Sequence, residues 1–180
     1  MIKMKFEKVS FDQWFEACYK NYWDLFSPKK EEFEKWVEES YNHILLPERS
    51  TKFSAGYDFF NPFPTLHLNA TANTSYRICT GVRWHGDNDK VLIILPRSGF
   101  GTKYGFALDN TAGVIDADYY HAANEGHIMA QVHVRADMKI ESGQAFMQGI
   151  ILPYYTVEED TVDNERVGGF GSTDKNNNAR

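Results

Sequence analysis

Hydrophobic and polar positions change their period twice along this chain, and the changes mark its parts. Residues 2–9 alternate apolar and polar, the period of a half-buried strand. Phe11, Trp14, Phe15, Cys18, Tyr19, Tyr22, Trp23 and Phe26 then recur at spacings of three and four, which lines one helix face. Ser10, with Gln13 three residues on, reads as a capping box that opens this helix. Ser27-Pro28 is expected to close it and open a second, with Ser27 as N-cap and Pro28 in the first helical position. Phe33, Trp36, Val37, Tyr41, Ile44 and Leu45 keep the helical spacing until Pro47. The pattern predicts a helical hairpin over 10–45 with an aromatic seam.

From about 54 to 155 the helical period is gone. Short β-branched and aromatic runs at 75–82, 90–95, 127–134 and 145–152 are separated by Gly, Asn, Asp and Pro, which predicts an all-β sandwich or barrel. Beyond Tyr155 come five acids (Glu158, Glu159, Asp160, Asp163 and Glu165), followed by a glycine-rich stretch. Such a tail cannot build its own core and is expected to be mobile unless it docks. The division is thus one domain over 1–155, with the hairpin as an insert, and a flexible arm over 156–180.

Composition adds limits. At 180 residues there is room for one ordinary domain. A net charge of −6 makes a sequence-independent nucleic-acid binder a poor fit, because such proteins neutralise phosphate with a basic face. Cys18 and Cys79 are too few for a disulfide framework. With no secretory signal pattern and no 18-residue apolar run, the expected address is the cytoplasm, away from membranes. His43, His67, His85, His121, His127 and His133 show no zinc-like spacing. His127 and His133 should share one face of a strand, but two ligands are too few.

Five segments carry candidate chemistry: Ser-Ala-Gly-Tyr-Asp at 54–58, Pro-Arg-Ser-Gly-Phe-Gly at 96–101, Asn-Thr-Ala-Gly-Val-Ile-Asp-Ala-Asp-Tyr at 110–119, Gly-Gln-Ala-Phe-Met-Gln at 143–148, and Arg-Val-Gly-Gly-Phe-Gly-Ser-Thr at 166–173. Arg97 and Ser98 set a cationic fork and a hydroxyl beside the bare backbone of Gly99, a combination suited to anions. The plainer reading is a strand-to-turn junction with a surface arginine. Gly113, Val114, Ile115 and Asp116 alternate as a β-hairpin arm would, presenting Asp116 at a pocket wall, where a carboxylate can serve as general base. The plainer reading makes Asp116 and Asp118 solvated turn acids. Gln148 is either a phosphate ligand or a polar residue on a strand's outer face.

In order, content and spacing these segments resemble the trimeric dUTP pyrophosphatase (dUTPase) family over residues 54–173. The resemblance implies a jelly-roll or distorted β-barrel, a homotrimer with shared active sites, and hydrolysis of dUTP to dUMP and pyrophosphate. It assigns the general base to Asp116 and the triphosphate to Arg97, Ser98, Gly99 and Gln148. Asn110, Gly113 and Ile115 fall to the uracil side, and Tyr119 to packing against the deoxyribose ring. It makes 166–173 a lid, in which Arg166 clamps phosphate, Phe170 stacks on uracil beside Gly171, and Ser172 and Thr173 add hydroxyl donors. The resemblance implies Mg2+ held by substrate phosphates and water, with Asp58 acting at most through water or by orienting an arginine.

Four features depart from the pattern: the hairpin at 10–45, a longer loop at 120–125, Ala145 where many relatives carry arginine, and a single residue between Arg166 and Gly168. The hairpin is either a packing decoration or a site for a protein partner. A related dCTP deaminase would need a glutamate where Gln131 stands, and an amide cannot shuttle a proton. A nucleotide-sensing protein on the same fold is the remaining alternative.

Overall fold

The computed structural model describes residues 4–70 and 75–162. In chain order it runs β1 (Lys5–Lys8), α1 (Phe11–Tyr22), a 3-10 turn (Trp23–Leu25) and α2 (Lys30–Asn42). There follow β2 (Glu48–Arg49), β3 (Gly56–Phe60), β4 (Leu66–Leu68), β5 (Tyr76–Cys79), β6 (Val82–His85), β7 (Lys90–Pro96) and α3 (Ser98–Tyr104). The chain continues through β8 (Ala107–Leu108), β9 (Gly113–Asp116), a 3-10 turn (Ala117–His121), β10 (Met129–His133), β11 (Met138–Ile140) and β12 (Ala145–Pro153). Among the described residues the strands form four antiparallel sheets, ordered β2-β3-β12-β7-β9, β5-β10-β8, β1-β6 and β11-β4. The protein is mainly β with inserted helices, as expected, but these sheets are not closed into a barrel. No described helix is long and apolar enough to cross a membrane.

The hairpin belongs to the same core as the sheets. Phe63, from the β region, lies between Trp14 at 5.3 Å and Trp36 at 4.9 Å, both rings stacked on it. Phe33 sits among Phe15, Trp23 and Phe26 at 5.3–5.7 Å, which is the aromatic seam seen edge-on. Trp14 also donates its indole N–H to the Val37 carbonyl at 3.1 Å, so burial leaves that group satisfied. Each such ring removed from water is worth roughly 1.5–3 kcal/mol.

Ser10 caps α1 as expected, while the rest of the capping differs. Ser10 accepts from the Gln13 N–H, but the reciprocal half of the box comes from Glu125. Its carboxylate accepts from the Ser10 N–H at 2.8 Å and from the Ser10 hydroxyl at 2.5 Å. Glu125 holds this position with φ +56, a left-handed conformation uncommon outside glycine and asparagine. Between the helices Ser27–Pro28 is a cis peptide and α2 starts two residues beyond Pro28, with Lys29 in the cap position. Backbone bonds from Ser27 to Trp23 and from Lys29 to Phe26 close that turn, and Glu31 and Glu32 face the helix dipole.

The run 75–82 proves to be parts of two strands. Gly81, at φ +70, turns the chain between β5 and β6, and a Cβ there would lie 2.3 Å from Ile44. Its N–H donates to Nε2 of His127 at 2.9 Å. His127 is therefore a core acceptor outside β10, not a partner of His133 on one strand face.

Candidate functional site

Around the second motif, sheet register does the positioning. Gln148 of β12 lies opposite Asp58 on one side and Leu95 on the other, so all three share a face, and Arg97 rejoins it two residues past Leu95. Arg97 Nη1 stands 3.4 Å from Asp58 Oδ2, with the carboxylate side chain 13% exposed and the guanidinium side chain 43% exposed. Asp58 thus aims a half-exposed cation. Gln148 Nε2 reaches the Pro96 carbonyl only at 3.4 Å, a long contact that leaves the amide available. Ser98 and Gly99 are exposed, and a Cβ built on Gly99 meets nothing within 4 Å. Packing within the chain does not explain that glycine.

The expected strand-to-turn junction is a helix, α3, with Arg97 at its N-cap and Gly105 at φ +61 ending it. The glycines at 99 and 101 hid it, because each weakens a helix by about 1 kcal/mol relative to alanine.

The third motif is not a paired hairpin. Leu108 of β8 pairs with Val132 of β10, whereas Gly113 of β9 pairs with Ile94 of β7. The intervening turn, with Thr111 at φ +67, sends the two arms to different sheets. Where they part, a cavity of about 410 Å³ opens, walled by Ile94, Gly113 and Ile115 on one side and by β10 on the other. Asn110 lines it, so the structure brings together the three residues assigned to the uracil side. Asp109, next to Asn110, also lines it. Its carboxylate accepts from Ser75 at 2.5 Å and meets His133 Nδ1 at 2.7 Å. Those bonds, Ser75's foremost, hold the Asp109 carboxyl below the usual carboxylate range against partial desolvation.

Sequence reasoning missed Arg77, which lines the same cavity and donates Nε–H to Gln131 Oε1 at 2.9 Å. No motif marks it. The signal was cross-strand register, since Arg77 and Gln131 lie directly opposite.

Two of the expected site residues stand apart from this cavity within the single chain. Asp116 does not line the cavity: Gly113 and Ile115 face inward, so the two-residue period puts Val114 and Asp116 on the exposed face. Tyr119 is 3% exposed, donates to the His127 carbonyl at 3.0 Å and accepts from Asn124 at 2.7 Å. It braces the turn after Asp116 and, within this chain, presents no open face to a sugar. Arg166, Phe170, Gly171 and Ser172 lie outside the described residues.

Asp116 and the phosphate turn are far apart. Asp116 pairs with Val91, near the start of β7, while Arg97 follows its end. At ~3.3 Å per residue, six residues separate the two by about 20 Å along the strand. One chain alone does not bring them together.

The donor set also bears on magnesium. Among the described residues no three His, Cys, Asp or Glu groups converge, and the Asp58 carboxylate lies on Arg97. An ion carried by phosphate oxygens and water needs from the protein only a carboxylate acting through water or through an arginine, and the placement of Asp58 on Arg97 fits that part.

Comparison with known proteins supplies the family. Residues 42–174 match the dUTPase family model. A deoxyuridine 5'-triphosphate nucleotidohydrolase of Lactococcus lactis is 36% identical over 141 residues, covering 72% of this chain and 88% of the relative. The crystal structure of dUTPase from Streptococcus mutans is 32% identical, covers 65% of this chain and 91% of its own, and gives a TM-score of 0.56. A dUTPase from phage phi11 of S. aureus, whose structure describes coordination of a structural Mg(II) ion, matches at 23% identity over 68% of this chain and 92% of its own, with a TM-score of 0.55. That last likeness speaks for the fold alone. With a family match across most of its length and a relative of this identity, the chain belongs to the dUTPase family.

Proposed function

We propose that the protein hydrolyses dUTP to dUMP and pyrophosphate in the cytoplasm. The observation that carries this reading is the Arg97–Asp58 pair, a cation already aimed beside Ser98 and Gln148 in a chain of this family. The base and sugar occupy the cavity beside Asn110, Gly113 and Ile115, with the 109–112 turn reading the uracil edge. Arg97 binds the triphosphate, the Ser98 hydroxyl donates toward the bridging oxygen of the departing pyrophosphate, and Gln148 donates to phosphate oxygen.

A water attacks the α-phosphorus in line, its oxygen forming the new P–O bond while the α–β bridging oxygen leaves with pyrophosphate. Asp116 accepts the water's proton. Magnesium held by the substrate phosphates and water would supply charge neutralisation there, and Asp58 acts on that region by orienting Arg97. Since Asp116 and Arg97 stand about 20 Å apart along β7, the site is shared. We infer a homotrimer in which one chain supplies the Asp116 segment, a neighbour the Arg97 turn, and the third its C-terminal arm, with Arg166, Phe170, Gly171 and Ser172 closing over the nucleotide.

Pyrophosphate release from dUTP by the purified protein tests the reaction. Turnover supports it. Nucleotide binding without turnover would leave a sensor in place of an enzyme.

A further inference from the structure

The nucleoside cavity holds one polar pair to which the proposed reaction gives no part. Arg77 of β5 and Gln131 of β10 face each other across the ladder, joined by Nε–H to Oε1 at 2.9 Å. Both line the cavity together with Asn110 and Gly113. A guanidinium has five donors and no acceptor, so the oxygen of the Gln131 amide must turn toward Arg77. The amide NH2 is then fixed at the far end. The neighbouring carboxylate of Asp109 is spent on Ser75 and His133. At the β5–β10 wall the pair therefore offers donors, and the charged acceptor of Asp109 is already occupied.

The helical hairpin holds this arrangement in place. Tyr22 of α1 donates to the Arg77 carbonyl at 2.8 Å and accepts from the Cys79 N–H at 3.1 Å, pinning β5 on both sides of Ile78.

We propose that the Arg77–Gln131 pair is a base-selecting device: locked by Arg77, Gln131 donates to a pyrimidine that carries a carbonyl at position 4 and rejects one that carries an amino group there. A carbonyl accepts the amide N–H. An amino group sets donor against donor and leaves both unpaired in a partly closed site, a loss worth roughly ten- to a hundredfold in affinity. This rests on the reading of the cavity as the nucleoside site of a dUTP hydrolase, and it adds the residues that separate uracil from cytosine.

The test is calorimetric binding of the α,β-imido analogues of dUTP and dCTP, which needs no turnover. The wild type is expected to prefer the uracil analogue. Gln131→Leu, of similar volume, should narrow that preference at least about tenfold, mostly by weakening the uracil analogue. Arg77→Met, which frees the amide to flip, should narrow it by strengthening the cytosine analogue. Arg77→Lys, still a donor, should restore most of the wild-type ratio. Arg77 is exposed, so its variants keep the question answerable if Gln131→Leu fails to fold. An unchanged ratio in the folded Arg77→Met protein overturns the proposal, as does a wild type with no preference. Failure of the hydrolysis reading shows itself elsewhere, as no pyrophosphate released from dUTP, and leaves these ratios to be judged on their own.

Discussion

The two ends of β7 are built differently. Toward its middle and start, Ile94 faces Gly113 and Val91 faces Asp116, and Ile94 joins the wall of a cavity with a buried apolar floor and exposed polar groups at Arg77, Asp109 and Asn110. At its far end Arg97, Ser98 and Gly99 lie half or fully exposed, held by one ion pair and open to solvent. On the proposed reading, the cavity at the nucleoside half draws its lining from one chain, whereas the phosphate turn and the Asp116 carboxylate would meet only across two copies.

The largest expected effect strikes the carboxylate. Asp116→Asn should lower dUTP turnover by roughly a hundredfold or more while nucleotide still binds, because only proton uptake is lost. An active Asp116→Asn protein removes Asp116 as the base.

A pH response should separate the two ends next. His127, one residue before Ile128 of the cavity wall, is held neutral: its Nε2 accepts from Gly81, which leaves the proton on Nδ1, an atom with no partner among the described residues. Burial pulls its pKa down from 6.5 to about 4. The unfolded chain gains this proton near pH 6.5 and the folded chain only near pH 4, so stability falls as pH drops across that window and levels off below it. The loss is on the order of 3 kcal/mol. Urea midpoints measured from pH 7 to 4 should fall in the wild type and flatten between pH 6.5 and 4.5 in His127→Gln. Equal slopes in both proteins would break the link.

At the phosphate end the effects should be graded. Arg97→Ala removes charge-assisted bonds to phosphate and is expected to lower kcat/KM about ten- to a hundredfold. Asp58→Asn only loosens the aim of Arg97 and should cost less than about tenfold. Were Asp58→Asn the more damaging, the carboxylate would have a task beyond orienting arginine.

The smallest effect lies outside both ends. Ser10→Ala removes a cap and one bond to Glu125, which should lower stability by about 1 kcal/mol and leave kcat unchanged. Thermal melts and steady-state rates on the same preparation check it.

What the sequence made legible was whatever depends on near neighbours. The three-and-four spacing from Phe11 to Phe26 is seen in α1 and the turn after it, and the runs at 90–95 and 145–152 became β7 and β12. What it hid depends on distant partners. The second half of the Ser10 cap comes from Glu125, 115 residues away. The break at Gly81 reflects Ile44 and His127, neither of which is near in sequence. The motifs named Asn110, Gly113 and Ile115 for the cavity, because each sits in a recognisable segment. Arg77 sits in none, and only the register between β5 and β10 places it opposite Gln131. Burial of Tyr119 likewise follows from the loop that closes over it through Asn124, which a pattern of residue types does not reveal.

Subunit mixing tests the shared site most directly. Asp116→Asn and Arg97→Ala proteins, each impaired alone, are unfolded together and refolded as a mixture. If the carboxylate and the phosphate turn at one nucleotide come from different chains, random assembly restores both groups in about a quarter of the sites, and turnover should rise toward about a quarter of the wild-type rate. A mixture no more active than its two components would contradict the account.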